Sequence, residues 1–590
     1  MKLSDYVIDF IAGQGVAHIF ELVGGAITHL VDSTVDRKDI TCVSVHHEQA
    51  AAFAAEGYAR INGKLGVAMA TSGPGALNLL TGIGSCYFDS VPCLFITGQV
   101  NTYEYKFDRP VRQVGFQETD IVSVARPLTK YAEMVTDAGK IRYHLEKAVY
   151  YAQSGRPGPV LLDIPMDIQR AQIEPEKLES FFTSGEFLTM QNETVLCQES
   201  DIEEVVRLIS EARRPVILAG GGVRAGDAVR ELGLLTEKTG IPVVTSLMGI
   251  DAVPGDNPRC FGMIGVYGNR FSNLAVANCD LLLVLGSRLD TRQTGTRPET
   301  FARAAKIVHV DVDKHELDSK VRTHLAIQCQ VKEFLESIND RLKAYIKPDL
   351  APWYSVVSRY RKKYPTRSPE PEGSALDPNH FLEILSGHCG IGDIVCIDVG
   401  QNQMWAAQSF RLKDDQRMLI SGGMGSMGFA LPAALGAAKA APGKRVVVIS
   451  GDGGIQLNIQ DLDTIVSHHL PVKLVVLNNG CLGMVRQFQD MYFDGRQQST
   501  VVGYHCPDLM KIAEAYGLPV STISSLERVE EAVGRFFDSE KPAFLEVKIA
   551  QDSCVNPKLL VNCPIEDMSP PLERDQLEKE MVINCKGQEK

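Results

Sequence analysis

An α/β fold of three doubly wound parallel-sheet domains is what the sequence predicts, and three features predict it. Apolar runs of strand length alternate with helix-period segments along nearly the whole chain, the pattern of parallel sheets flanked by helices. At 590 residues the chain is far longer than one hydrophobic core supports, so it must divide. Two polar stretches, "TSGEFLTMQNETVLCQESD" and "KKYPTRSPEPEGSALDPNH", fall where divisions are needed, and the second is rich in proline and charge.

The first block, residues 1–175, opens on "MKLSDYVIDFIAGQGVAHIF", an amphipathic helix broken by glycine and not a signal peptide. Its strands are read at "KLGVAMATSGPG", "PCLFITGQV" and "GPVLLDIP". The second block, residues 195–345, has strands at "RPVILAGGG", "IPVVTSL", "DLLLVLGSR" and "KIVHVDVD". The third, residues 375–550, carries "DIVCIDVG", "RVVVISGDGG", "VKLVVLNNG" and "PAFLEVKI". Residues 551–590 are a tail with prolines and then a charged helical pattern, "LERDQLEKEM". One internal echo stands out: "AMATSGPGALNLLTGI" in the first block resembles "VVISGDGGIQLNIQDL" in the third, with Pro74 where Asp452 stands. Either glycine-rich strand ends look alike by chance, or a domain was duplicated and one copy kept the acid.

Composition narrows the partners. A hydrophobic content of 44% with 23% charged residues is that of a soluble globular protein. A formal net charge of −13 argues against nucleic acid and against an anionic membrane surface, though a metal and local donors can reverse the field inside a cleft. The fourteen cysteines are scattered singly, with no CxxC pair and no Cys/His ligand spacing, which disfavours zinc and iron–sulfur sites. No apolar run reaches membrane-spanning length. A reducing cytoplasm is the simplest compartment on these grounds.

The chemistry gathers at "VVVISGDGG". Four branched apolar residues read as a strand buried on both faces, yet it runs into Ser450-Gly451-Asp452-Gly453-Gly454. After Gly453, 24 residues intervene before Asn478-Asn479, at the end of the apolar strand "VKLVVLN". Asp452 and Asn479 thus stand at the carboxyl ends of two parallel strands joined by one crossover, where open α/β sheets bind ligands. Both offer hard oxygens of the kind magnesium takes, with phosphate oxygens and water completing an octahedron. The glycines let a diphosphate approach backbone N–H groups at a helix start. The acid holds a metal, and the metal holds a diphosphate.

This arrangement resembles the signature of thiamine diphosphate enzymes, and most of residues 1 to 550 resembles the acetohydroxyacid (acetolactate) synthase catalytic subunit. The resemblance implies that Asp452, Asn479 and the backbone carbonyl of Cys481 ligate Mg2+, with Gly451, Gly453 and Gly454 around the diphosphate. In "SVHHEQAAAFAAEGYAR" it implies that Glu48 hydrogen-bonds the pyrimidine of thiamine across a dimer interface, driving the ring toward the imino form that removes the thiazolium C2 proton. Met427, in "SGGMGSMGFALPAALG", would be the apolar wedge under the bent cofactor, and Met484, in "NGCLGMV", a second cofactor contact. "ELVGGAI" (Gly24, Gly25) and "TSGPGALN" (Gly73, Gly75, Asn78) resemble the loops lining the pyrimidine side. "QVGFQETD" matches the substrate-side segment, with Phe116 and Gln117.

In the middle block "VLGSRLDTRQTG" resembles the family's Arg-Phe-Asp-Asp-Arg segment, keeping Arg288, Asp290 and Arg292 while Leu289 replaces Phe and Thr291 the second Asp. The resemblance implies that Arg292 binds the carboxylate of the second 2-keto acid, a task for which a planar guanidinium fork is suited. Arg156 in "GRPGP", Gly220 and Gly221 in "AGGG", "TSLMG" and "GMIGVYGN" match flavin-contacting segments, so a structural FAD is expected. Four departures stand out: Phe488 replaces the family's tryptophan, "LVGG" lacks a proline, "DRPVRQVGFQ" is longer and more basic, and the tail is extended.

The function these readings imply is decarboxylation of pyruvate, or a related 2-keto acid, and carboligation of the two-carbon hydroxyethyl unit to an acceptor carbonyl. Alternatives are a carboligase acting on a nucleotide-linked keto sugar, a 2-keto acid decarboxylase or oxidase, and a cofactor-binding protein without activity. The resemblance further implies a homodimer or tetramer with active sites at the dimer interface, and leaves room for a small regulatory chain.

Overall fold

The structure, a computed structural model, describes residues 1–191, 197–342, 349–367 and 376–584. The polar stretches predicted as boundaries fall partly outside these residues. Inside the first of them the chain forms a short helix, Gly185–Gln191.

Three six-stranded sheets, all parallel, carry the chain. The first has the spatial order Thr41–Ser44, His18–Leu22, Gly66–Ala70, Cys93–Gln99, Val160–Pro165, Tyr131–Met134. The third has the order Arg417–Ile420, Ile394–Ile397, Val446–Gly451, Val472–Asn478, Ala543–Lys548, Val520–Ile523. Numbered within each sheet, both read 2-1-3-4-6-5. The echo between "ATSGPG" and "ISGDGG" therefore occupies equivalent ground, since Gly66–Ala70 and Val446–Gly451 are strand 3 of their sheets. Shared topology and matched position favour duplication over chance.

The middle sheet differs. Its order is Leu325–Gln328, Lys306–Asp311, Leu281–Leu285, Pro215–Ala219, Val243–Thr245, Cys260–Met263, which is 3-2-1-4-5-6 read from the other edge. That is the doubly wound order of dinucleotide-binding sheets, with its switch point between Pro215–Ala219 and Leu281–Leu285.

The first and third domains share one core. The helix Glu48–Asn62 starts on His47, whose Nδ1 accepts from the Gln49 N–H at 3.1 Å, and stops at Gly63, with φ of 68°. Its alanine face lies against the alanine-rich helix Ala430–Ala440. The contact is backbone-close: a Cβ on Gly57 would meet Ala433 O at 2.2 Å, and one on Gly436 would meet Ala54 O at 1.8 Å. Small residues are required there because nothing larger fits between the two helices.

The tail is ordered over the middle domain. Leu559 N–H donates to Val266 O at 2.7 Å, and Ile565, Leu577, Met581 and Ile583 pack into the middle-domain core with Trp353 and Phe271. The charged pattern predicted as helical forms the helix Arg574–Glu580. Glu580 is buried and held by Arg359 (2.9 Å) and Lys363, which keep its carboxyl below the ordinary range against the cost of burial.

Two of the cysteines that stand singly in the sequence meet in the fold: Cys197 and Cys329, 132 residues apart in sequence and 5.6 Å apart at Cα, form a disulfide. It joins the entry of the middle domain to the residue after its strand Leu325–Gln328. Disulfides are rare in reducing compartments, so the inference of a cytoplasmic site from unpaired cysteines does not carry. No helix among the described residues is long and apolar enough to cross a membrane.

Candidate active site

The third sheet places Asp452 and Asn479 side by side. Val446–Gly451 and Val472–Asn478 pair in register, Gly451 opposite Leu477, so both ligand candidates emerge at one edge. Next to them is the switch point, where strand Ile394–Ile397 ends in Asp398.

Asp452 is 1% exposed, and burial pushes its carboxyl up from the ordinary value, with a hydrogen bond from Tyr504 Oη (2.8 Å) pulling the other way. Asn479 Nδ2 donates to Gln401 Oε1 at 3.0 Å. In that orientation Asn479 Oδ1 lies 3.1 Å from Asp452 Oδ1 and 2.9 Å from Cys481 O. Three oxygens thus converge with no hydrogen between them. Turning the amide over would place its NH2 between Asp452 and Cys481, but would set its oxygen against Gln401 Oε1. A divalent cation among the three oxygens resolves the repulsion and keeps the Gln401 bond. Among the described residues no lysine or arginine forms an ion pair with Asp452. The donor set of Asp452, Asn479 and the Cys481 carbonyl is one that fits magnesium.

The glycines divide their work. A Cβ on Gly454 would lie 2.7 Å from Asp398 Oδ1, so this glycine makes room for a buried acid of the protein itself. Asp398 accepts backbone N–H bonds from Val399 (2.7 Å), Gly428 (2.9 Å) and Ala430 (3.2 Å), and burial raises its pKa to about 6. It thereby ties the Met427 loop to the end of the strand Ile394–Ile397. A Cβ on Gly453 would lie 2.6 Å from Leu482 Cδ2 and 3.5 Å from Met427 Cε, which puts Met427 directly over the glycine turn. Gly451 lies beside Asn402, and Met484 packs half-buried against the third-domain core.

The equivalent edge of the first sheet gathers Gly24, Gly25, Gly73 and Asn78. Gly24 lies against Thr71, a Cβ there meeting the Thr71 side chain at 2.5 Å, while Gly25 opens to free space. Glu48, 6% exposed, heads its helix and accepts a hydrogen bond from Asn78 Nδ2 at 2.9 Å. Gly73 has φ of 64° and touches Gln117, whose own φ is also 64°; a Cβ on Gly73 would meet Gln117 O at 3.0 Å. Phe116 projects beside it, 85% exposed. The loop is fixed by Glu118, whose carboxylate accepts backbone N–H bonds from Lys106 (2.8 Å), Val114 (2.6 Å) and Gly115 (3.1 Å).

A cavity of about 1260 Å³ runs from the middle-domain switch point to the other two domains. Gly221, Gly222, Arg288, Asp290, Arg292 and Arg156 all line it. Gly220 and Gly222 serve close packing first, for a Cβ on either would strike Gly286 at 2.1 and 2.7 Å. Arg156 is engaged within the protein, by Asp313 (3.2 Å) and Glu316 (2.9 Å). Asp290 caps the turn that presents Arg292, accepting its N–H at 2.9 Å, and Arg288 leans on Asp290 at 3.4 Å. Arg292 is exposed, with its guanidinium 5.4 Å from the Tyr267 ring centroid and no ion-pair partner among the described residues.

Sequence reasoning missed Tyr504, Gln401, Asp398 and Glu118. Asp398 had a visible signal, an acid followed two residues later by glycine at the end of "DIVCIDVG". Tyr504 and Gln401 act across 52 and 78 residues of chain, and Glu118 ties together its own loop through backbone N–H groups, which no residue pattern marks.

Comparison with known proteins agrees with this geometry. Family models match all three domains: "Thiamine pyrophosphate enzyme, N-terminal TPP binding domain" at residues 1–124, the central domain at 202–338, and the "C-terminal TPP binding domain" at 398–547. Acetolactate synthase 2, chloroplastic, of Nicotiana tabacum is 38% identical over 570 residues, covering 95% of this chain and 83% of the relative. Acetolactate synthase, chloroplastic, of Arabidopsis thaliana is 38% identical over 559 residues (92% and 81%), and acetolactate synthase 1, chloroplastic, of Oryza sativa subsp. japonica 37% over 580 (96% and 87%). These matches favour the synthase over the keto-sugar alternative. The family acts on keto acids and is oligomeric. The chain belongs to the thiamine pyrophosphate enzymes, in their acetolactate synthase group, and performs thiamine diphosphate- and magnesium-dependent decarboxylation of pyruvate with carboligation of the two-carbon unit.

Proposed function

We propose that this chemistry runs in a homodimer, where Glu48 of one copy faces the Asp452–Asn479 centre of another, and that the acceptor is a second 2-keto acid. The observation that carries the reading is the oxygen cluster of Asp452, Asn479 and Cys481 at the sheet edge. The cofactor, when bound, would supply the carbon that attacks pyruvate and hold the electron pair left behind when carbon dioxide departs. The chain's own groups do the rest. Asp452, Asn479 and the Cys481 carbonyl would hold magnesium, Met427 shapes the space above the glycine turn, and Glu48, aimed by Asn78, would share a proton with the pyrimidine through a hydrogen bond. Gln117 and Phe116 border the substrate side. Support for a second copy comes from apolar side chains left in water at these edges, Phe116, Leu77, Met424 and Leu457 among them.

An FAD in the middle domain fits the cavity. Its volume exceeds the roughly 300–1,000 Å³ of most ligand sites, so it takes an extended molecule. It begins at the switch point of a dinucleotide-type sheet, and Asp311, at the end of the neighbouring strand, offers a carboxylate raised to about 6 by burial.

Two expected results test the assignments. Arg292→Ala lowers acetolactate formation about 10–100-fold, the worth of a charge-assisted hydrogen bond, while carbon dioxide release from pyruvate persists. Parallel loss of both products in a folded variant would remove Arg292 from the acceptor side. Tyr504→Phe, which deletes the hydroxyl on Asp452 and nothing else, lowers magnesium affinity about tenfold, at the low end of the roughly 10–100-fold that outer-shell partners carry. Titrating magnesium against cofactor binding measures it.

A further inference from the structure

The tail carries a positive charge into the protein. Lys558 lies in the two-residue strand Lys558–Leu559, which pairs antiparallel with Met568–Ser569. It is 5% exposed, yet its ammonium forms no ion pair among the described residues and donates to Met491 Sδ at 3.4 Å. Around it stand three rings, with centroids at 5.5 Å (Phe488), 5.7 Å (Tyr267) and 5.7 Å (Tyr492). Tyr267 belongs to the middle domain, whereas Phe488 and Tyr492 lie on the third-domain helix Gly483–Tyr492. Arg292 shares the Tyr267 ring, its guanidinium 5.4 Å from the same centroid.

Buried lysines are nearly always paired with a carboxylate, which cancels their field at close range. A lysine held by ring faces keeps its stem packed and its charge uncancelled. Burial pushes the Lys558 pKa down, as does the positive charge of Arg292, with Cys554 acting against them. Two cations are set around one ring, at the junction of middle domain, third domain and tail, in a chain that is acidic overall. Phe488 and Arg292 are exposed there, so a substrate entering at this point meets the combined field.

We propose that Lys558 is a specificity-determining residue for carboligation: together with Arg292 it makes the acceptor side select a carboxylate-bearing carbonyl over a neutral aldehyde. The proposal rests on the assignment of Arg292 to the acceptor. It changes no bond in the reaction. The new carbon–carbon bond forms at the acceptor's carbonyl carbon and the proton goes to its oxygen, while Lys558 neither gives nor takes a proton.

The test is a competition between two acceptors in the holoenzyme. With pyruvate as donor, pyruvate and acetaldehyde compete as acceptors, and acetolactate and acetoin are counted together with carbon dioxide. Lys558→Met keeps the stem and removes the charge, and is expected to shift the product ratio about tenfold toward acetoin, the effect of losing one uncancelled charge near an anion. Carbon dioxide release stays at the wild-type rate, and Lys558→Arg keeps the wild-type ratio within about twofold. Lys558→Gln, which preserves a polar tip, repeats the measurement should the thioether disturb packing. An unmoved ratio in both neutral variants overturns the proposal, as does a ratio displaced equally by arginine, since that would mark a packing role. Loss of carbon dioxide release from the wild type itself would strike the parent assignment and this one together, and is distinguishable because it appears before any acceptor is added.

Discussion

Glu48→Gln lowers carbon dioxide release from pyruvate about 10²–10⁴-fold and leaves the protein folded and able to bind its cofactor, the range a positioned acid–base contact is worth. The substitution keeps the shape of the side chain and its bond from Asn78, because an amide oxygen accepts as a carboxylate oxygen does. What it removes is the proton that a carboxyl can share. Glu48 also heads a helix whose alanine face is locked against the third domain, so its position is fixed by backbone packing and not by the charge. A near-wild-type rate of carbon dioxide release from the glutamine variant, measured with saturating cofactor and magnesium, would remove Glu48 from the chemistry.

Asp452→Ala is the second large effect, and it strikes binding in place of chemistry. Without the carboxylate the cluster retains only Asn479 Oδ1 and the Cys481 carbonyl, two neutral oxygens that hold magnesium poorly against water. Activity at physiological magnesium is expected to fall about 10³-fold or more, since a metal ligand and the only formal charge of the protein set are lost together. The alanine should not unfold the domain. A buried carboxylate with a raised pKa and no cationic partner costs stability in the absence of metal, so the metal-free variant is expected to melt no lower than metal-free wild type. Thermal melts with and without magnesium separate the two: magnesium and cofactor raise the wild-type midpoint and leave that of the variant in place.

How much of this was legible depended on whether a signal was local. Asp452 and Asn479 could be read because a strand, a glycine turn and the next strand end all lie within one crossover. The alanine-rich helix after Glu48 announced close packing in the same way, though not its partner, since Gly57 meets Ala433 from the far end of the chain. The first sheet and the third could be suspected of common origin from one short echo, and only their shared strand order makes the case. Glu118 has no sequence signature because its partners are the backbone N–H groups of its own loop, and Tyr504 and Gln401 have none because each acts by a hydrogen bond whose value depends on where another loop folds. The disulfide escaped for the same reason, with 132 residues between its halves. Lys558 was hidden deepest: in sequence it is one basic residue of a proline-containing tail, and it becomes unusual only when three aromatic rings from two domains close around it.

The central claim is that three oxygens at one sheet edge bind a divalent cation and through it a diphosphate. Calorimetric titration of thiamine diphosphate into the full chain tests it most directly, once with magnesium and once with a chelator. The account predicts saturable heat with magnesium and none without. Equal binding in the two titrations, or none in either, would contradict it.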